Sequence, residues 1–294
     1  MHVKILGAAA GGGLPQWNCG CQNCADARSG EIAGMSQSSV AVSADGRDWV
    51  VLNASPDIRE QLRLSGLHPP SRRGSPVRAV VLTNGDIDHI AGLLTLREST
   101  PFQIHATAAT LAILEQPVFR VLNPALVGKQ AIRPDDPFEP LAGLRLTAFA
   151  VPGKVPLFLE EGEVKTDLLG EQTIGLRIDC GGRVMFYIPG CAAVTPDLRD
   201  RVAGADLLLF DGTVWSDDEM TRTGTGVKTG GRMGHIAMAG PDGSLAAFDG
   251  LSIARRVYIH INNTNPVLRP GSEERARVGA AGWEIARDGQ EILL

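Results

Sequence analysis

The sequence predicts an α/β protein built on two mixed β-sheets covered by helices, and three observations carry that expectation. Apolar, β-branched segments alternate with helical ones along the chain. Hairpin signals occur in both halves, at Asp45-Gly46 and at Gly181-Gly182, each between two apolar runs. Strand–helix units lie among these hairpins, a mixture that one all-parallel sheet does not accommodate. No internal repeat or composition shift marks a boundary, so residues 1–294 read as a single domain.

The elements follow in order. Residues 3–8 form a first strand ending at Gly11-Gly12-Gly13, and residues 38–43 and 49–53 make the first hairpin. Ser55-Pro56 opens a helix to about Leu64, with serine as cap and proline at the first helical position. A basic, proline-bounded loop spans 69–76. Residues 78–82 are apolar and β-branched enough for a buried strand, and 90–98 have helical composition. Residues 144–151, 173–179 and 183–188 are strands, 205–210 and 256–261 are buried strands, and 291–294 closes a sheet.

Composition removes several function classes. At 44% hydrophobic residues over 294 positions the chain is an ordinary globular protein with a sizeable core. A net charge of −5 with both signs interspersed leaves no electrostatic footprint for nucleic acid. No run approaches a membrane span, and the apolar start, broken at Gly7, is too short for a secretory signal. The expected location is the cytoplasm, without stable membrane insertion; a homodimer is compatible with the sequence.

The five cysteines are not a disulfide framework, because Cys19, Cys21 and Cys24 cluster while Cys180 and Cys191 stand alone. Three thiolates in a short loop, at about 17–26, can wrap one tetrahedral ion, and zinc is the expected one. The fourth position is assigned to His235, whose flanking glycines allow close approach to another loop. The alternative is a histidine bonded to backbone groups. His2, His68 and His105 are read as structural or surface residues.

The most informative segment is Leu82-Thr83-Asn84-Gly85-Asp86-Ile87-Asp88-His89. Adjacent Asp88 and His89 reach one ion only if the backbone turns sharply after the strand, which Gly85 permits. Helix capping by Asp88 or Asp86 is the competing explanation. A second segment, Val257-Tyr258-Ile259-His260, delivers a histidine at a strand end, just before Ile261-Asn262-Asn263-Thr264-Asn265-Pro266. Unless His260 is a satisfied core histidine, it joins Asp88 and His89 in a set of two imidazoles and one carboxylate. Such a facial triad suits Fe(II) and leaves positions open for substrate and dioxygen.

These segments resemble the metallo-β-lactamase-fold superfamily. More narrowly, Pro15 to Cys19, Asn53 to Asp57, Thr83 to His89, Val151 to Pro156, Ile188 to Cys191, Phe210 to Thr213 and His260 to Pro266 resemble the pyrroloquinoline quinone (PQQ) biosynthesis protein B family. The resemblance spans essentially the whole chain. It implies a four-layer αβ/βα sandwich with a metal at one edge between the sheets. It also places Asn84, Asp86 and Gly153 where a first metal's three histidines would be, and Cys191 where a bridging aspartate is usual. One reaction-centre metal is therefore expected, and a binuclear hydrolase is disfavoured.

The implied role is iron- and O2-dependent hydroxylation of the tyrosine ring of a cross-linked Glu–Tyr precursor of PQQ. The competing role is a carrier that binds PQQ or its precursor and assists transport to the periplasm; a metal-dependent hydrolase ranks third. Lys154 and Arg232 are the expected contacts for substrate carboxylates, and Asn262 and Asn263 for its carbonyls. Asp211 is either a carboxylate near the metal or the start of an Asp-Gly turn bonding Thr213. Cys191 is either a soft ligand or a small buried side chain.

Overall fold

Fourteen strands divide between two seven-stranded mixed sheets in the computed structural model, which describes residues 1–294. The first sheet contains β1 (His2–Gly7), β2 (Ser39–Ser43), β3 (Trp49–Leu52), β4 (Val77–Val81), β5 (Phe102–Ala106) and β6 (Val127–Ala131). The second contains β7 (Pro137–Leu141), β8 (Leu144–Ala150), β9 (Ile174–Cys180), β10 (Arg183–Ile188), β11 (Leu207–Asp211), β12 (Arg256–Ile259) and β13 (Trp283–Ile285). The last strand, β14 (Glu291–Leu293), returns to the first sheet antiparallel to β1. Each sheet is antiparallel on one side and parallel on the other, with β3 to β6 and β10 to β13 the parallel portions. The two mixed sheets expected from the sequence are therefore present.

Strand periodicity decides what each residue packs against. In β4 and just beyond it, Ala79 and Val81 face the core between the sheets, with Leu52, Leu176 and Phe186. Val80 and Leu82 face outward, against Ile58, Ile90 and Leu93 of the covering helices. Both faces are buried, which is why the run Val77 to Leu82 is nearly all apolar instead of alternating.

Local expectations fail where tertiary contacts compete. The helix after Pro56 runs Ile58–Leu64 with Asp57 at its N-cap, and not from Ser55. The Ser55 hydroxyl accepts the Asp57 N–H and pairs with Gln61 Oε1, while the Asp57 carboxylate bonds Gln37. The 90–98 segment is a 3-10 run, Ala91–Arg97, preceded by a one-turn helix, Ile87–Ile90. The strands β5, β6, β7 and β13 were not expected. Three of them, β6, β7 and β13, are edge strands, and β6 and β7 carry Gly128, Lys129 and Gln130, and Pro137 and Pro140, residues that depress strand propensity. No helix is long and apolar enough to cross a membrane.

Candidate metal centre

The site forms beyond the C-terminal ends of β4, β11 and β12. After β4 the chain turns through Thr83–Asp86 (83–86) into the one-turn helix that carries Asp88 and His89. Gly85 has no unusual φ; a side chain there would strike Ile113 and press on Pro156, so glycine is needed for close approach and not for the turn. Asp86 occupies the helix N-cap but makes no capping bond; its carboxylate accepts the Asn84 amide at 2.9 Å. After β12, His260 adopts φ 60°, a left-handed conformation that typically costs a β-carbon residue about 1–3 kcal/mol. Thr213 holds it there, with Oγ1 2.9 Å from both the His260 carbonyl and Nδ1.

Asp88, His89 and His260 converge as the sequence anticipates. Asp88 Oδ2 lies 3.1 Å from His260 Nε2 and 3.9 Å from His89 Nε2, and the three ligating atoms lie within 4.8 Å of one another. His89 is buried, and its Nδ1 donates to Asn84 Oδ1 at 2.6 Å. That bond fixes the tautomer and leaves Nε2 as a bare lone pair, which is buried with no partner. An orphaned lone pair facing a carboxylate and a second imidazole is what a cation would satisfy, so these residues fit a metal. Asn84, in a position from which a ligand was expected to be lost, orients the neighbouring ligand instead. Gly153 offers no donor, because Thr173 fills the space its side chain would need.

The electrostatics agree. Burial would raise the Asp88 carboxyl, but His89 and His260 outweigh it and hold it below the usual carboxylate range. Burial pushes His89 down to about 4 against the pull of Asp88, so the imidazole is neutral near pH 7. For His260 the burial effect is overcome by Asp88, Asp211 and Asp86, which raise it. Burial and Asp88 raise Asp86, partly offset by Lys154, His235 and His260.

His235 is not at the cysteine loop, and its assignment there is corrected. Its Nδ1 donates to Asp211 Oδ2 at 2.7 Å, and its ring stacks on His260 with centroids 5.1 Å apart. The parallel pairing of β11 and β12 brings Asp211 and His260 together, and the helix Gly230–Met233 ends so as to lay His235 over both. Asp211 bonds Thr213, as the Asp-Gly turn predicts, and it is also a buried carboxylate beside His235. It is fully buried, bonds Thr213 through its N–H and hydroxyl, accepts the Cys191 N–H, and orients His235. Cys191 is a buried thiol, raised well above its ordinary pKa chiefly by burial, and donates to the Ala193 carbonyl.

The residue that reaches the cysteines is Asn263, which corrects its assignment to substrate. Its amide Nδ2 lies 3.2, 3.5 and 3.3 Å from the sulfurs of Cys19, Cys21 and Cys24. The three sulfurs lie within 4.8 Å of one another, a donor set suited to one tetrahedral cation, and burial pushes the Cys21 thiol up to about 11. Amide nitrogen and oxygen exchange by a half-turn, which would point Oδ1 at the fourth tetrahedral position. Zinc is expected to survive His235→Ala but to leave faster from Asn263→Ala, by about tenfold or more, in a chelator-competition assay.

Asn262 also stays out of the centre, its amide bonded to Thr264 at 2.5 Å and set against Met220. Next to it lies Glu219, unmarked in the sequence: it is buried, accepts the Trp215 N–H and the Thr264 hydroxyl, and burial raises it to about 7. A carboxyl with a raised folded-state pKa holds its proton more tightly in the folded protein. Stability should therefore fall as pH rises from about 4.5 to 7, by a few kcal/mol at most. Glu219→Gln should flatten that slope in urea-melt series across pH. Lys154 and Arg232 lie near each other, but both are bonded to Glu160, another residue that nothing in its sequence neighbourhood singles out.

Two packed mixed sheets with a ligand-bearing turn at their common edge define a metallo-β-lactamase-fold protein, and residues 48–261 match the beta-lactamase superfamily domain. Over its whole length the chain is 57% identical to coenzyme PQQ synthesis protein B of Ruegeria pomeroyi, with 100% of both chains covered. It is 55% identical to the Rhizobium meliloti protein of that name, covering 100% of this chain and 98% of the relative. The crystal structure of zinc-bound PqqB from Methylobacterium extorquens matches with a TM-score of 0.99 at 54% identity, both chains covered completely. The chain belongs to the coenzyme PQQ synthesis protein B family. A diphosphatase from the PhnP family, 21% identical with a TM-score of 0.73 over 100% of this chain and 97% of its own, shares the fold.

Proposed function

We propose that this protein acts in PQQ biosynthesis by hydroxylating the tyrosine ring of the cross-linked Glu–Tyr precursor, using Fe(II) and O2. The observation that carries the reading is the orphaned Nε2 of His89, facing Asp88 and His260 in a set of two imidazoles and one carboxylate. Iron held by these side chains supplies the one-electron chemistry that dioxygen needs to react with a phenol. The chain's own residues supply position and proton control. Asn84 fixes the His89 ring and Thr213 the His260 ring, so that each Nε2 is presented toward Asp88. His235, 18% exposed and anchored through Nδ1 to buried Asp211, is placed to take the phenolic proton at Nε2 while Asp211 stabilises the resulting imidazolium.

Hydroxylation puts one oxygen atom of O2 into the ring and reduces the other to water, so an external reductant must supply two electrons. The test is anaerobic Fe(II) loading followed by substrate-dependent oxygen uptake with reductant present. Uptake accompanied by a hydroxylated product is expected. Tight binding of PQQ without turnover would point to a carrier, and ester or phosphodiester cleavage with zinc or manganese would point to a hydrolase.

A further inference from the structure

Lys154 and Arg232 approach one carboxylate from two sides. Lys154 Nζ lies 2.9 Å from Glu160 Oε1, and Arg232 donates to both Glu160 oxygens, at 3.2 and 2.9 Å. The arrangement is sheltered: the Glu160 side chain is 9% exposed and that of Lys154 12%. Hydrogen bonding by Arg232 holds the Glu160 carboxyl down to about 2. Two cations on one carboxylate leave a positive charge over.

This fork borders the metal centre. The Lys154 stem packs beside Gly234, the residue before His235, whose ring stacks on that of His260. Glu160 reaches it from a loop, residues 154–167, whose base is closed by pairing of Gly153 with Leu168. Just before Glu160 the loop carries Leu157, Phe158 and Leu159, all about half exposed. A bidentate carboxylate site next to exposed apolar side chains is complementary to a ligand that is both aromatic and multiply carboxylated.

We propose that the Lys154–Arg232 fork is a carboxylate-binding site for the substrate, and that Glu160 fills it as an internal stand-in which the substrate's carboxylate displaces. The inference rests on the functional reading above, which makes the substrate an aromatic polycarboxylate. Exchange conserves the bonds, one carboxylate leaving the fork as another enters. A ligand without a carboxylate gains nothing from displacing Glu160, so the stand-in enforces selectivity and lowers affinity through its high effective concentration.

The test is calorimetric titration of the full chain with two probes, PQQ and benzene-1,3,5-tricarboxylate, and with their trimethyl esters as uncharged controls. Glu160→Gln is expected to tighten binding of both acids roughly tenfold by removing the tethered competitor. Arg232→Lys and Lys154→Gln should weaken both by about tenfold, because bidentate or paired contacts are lost. The esters should respond to none of these changes. Glu160→Asp, which keeps the charge and shortens its reach, should tighten the acids by a smaller factor and guards against a folding defect in Glu160→Gln. A response confined to the tricarboxylate, with no PQQ binding, would sustain the carboxylate site and sink the PQQ reading. Affinities for both acids unchanged in Glu160→Gln and Arg232→Lys, with melting as in the parent, would overturn the site whether or not PQQ binds.

Discussion

His260→Ala is expected to empty the proposed iron centre while leaving the zinc proposed for the cysteine loop in place. Asp88 and His89 would remain as a two-ligand remnant, a poor holder of a labile ferrous ion. The loss should exceed the roughly 10–100-fold that removing an outer partner of a metal ligand costs. Because His260 stands at φ 60°, alanine there also adds backbone strain; His260→Asn tolerates that conformation better and separates metal loss from misfolding. His89→Ala and Asp88→Ala should behave alike, whereas Asp86→Asn should retain iron, since Asp86 pairs with Asn84 outside the triad. Metal analysis after anaerobic loading, with melting curves in parallel, checks this. Two adjacent metals bridged through Asp86 in an anomalous-scattering map would overturn the single-iron reading and restore a binuclear site.

Cys24→Ser should release zinc and cost more stability than any of the triad substitutions. Cys24 is buried, and the loop that carries it is tied to the segment after His260: Asn23 donates to the Asn263 and Asn265 carbonyls at 2.9 Å each. Arg28 closes the loop from the other side through the Gln16 and Cys19 carbonyls. Zinc binding to such a loop contributes several kcal/mol of folding energy, and each kcal/mol moves Tm by about 2–4 °C in a chain of this size, so a fall of roughly 10 °C is expected. Iron affinity should decline only secondarily, as the Asn262 to Asn265 segment loosens. A variant that lost iron but kept zinc would show that the two sites had been divided wrongly.

Residue chemistry in short segments made much of this legible from the sequence. The apolar run into Asp88-His89, the strand-end His260 and the three clustered cysteines each concentrate metal-ligand chemistry within a few positions, and the hairpins at Asp45-Gly46 and Gly181-Gly182 announce two sheets. Weak strands were illegible because β6 and β7 owe their conformation to neighbours and not to propensity. The fourth partner of the cysteine cluster was misassigned for a related reason. Glycines beside His235 and the ligand chemistry of imidazole favour histidine in the sequence; the fold carries Asn263, three residues beyond His260, to the sulfurs.

The sequence by itself determined the fold class and the three side chains of the proposed iron centre, because periodicity and ligand chemistry are local properties of the chain. The tertiary structure alone decided the partners: Asn84 on His89, Thr213 and Asp211 around His260 and His235, and Glu160 between Lys154 and Arg232. The contacts of Thr213 and Asp211 with His260 and His235, and that of Glu160 with Arg232, join residues far apart in sequence; those of Thr213 and Asp211 with His260 form where the parallel strands β11 and β12 end side by side. Their hydrogen-bonding groups are unremarkable in composition, and burial next to one another is what gives them a role.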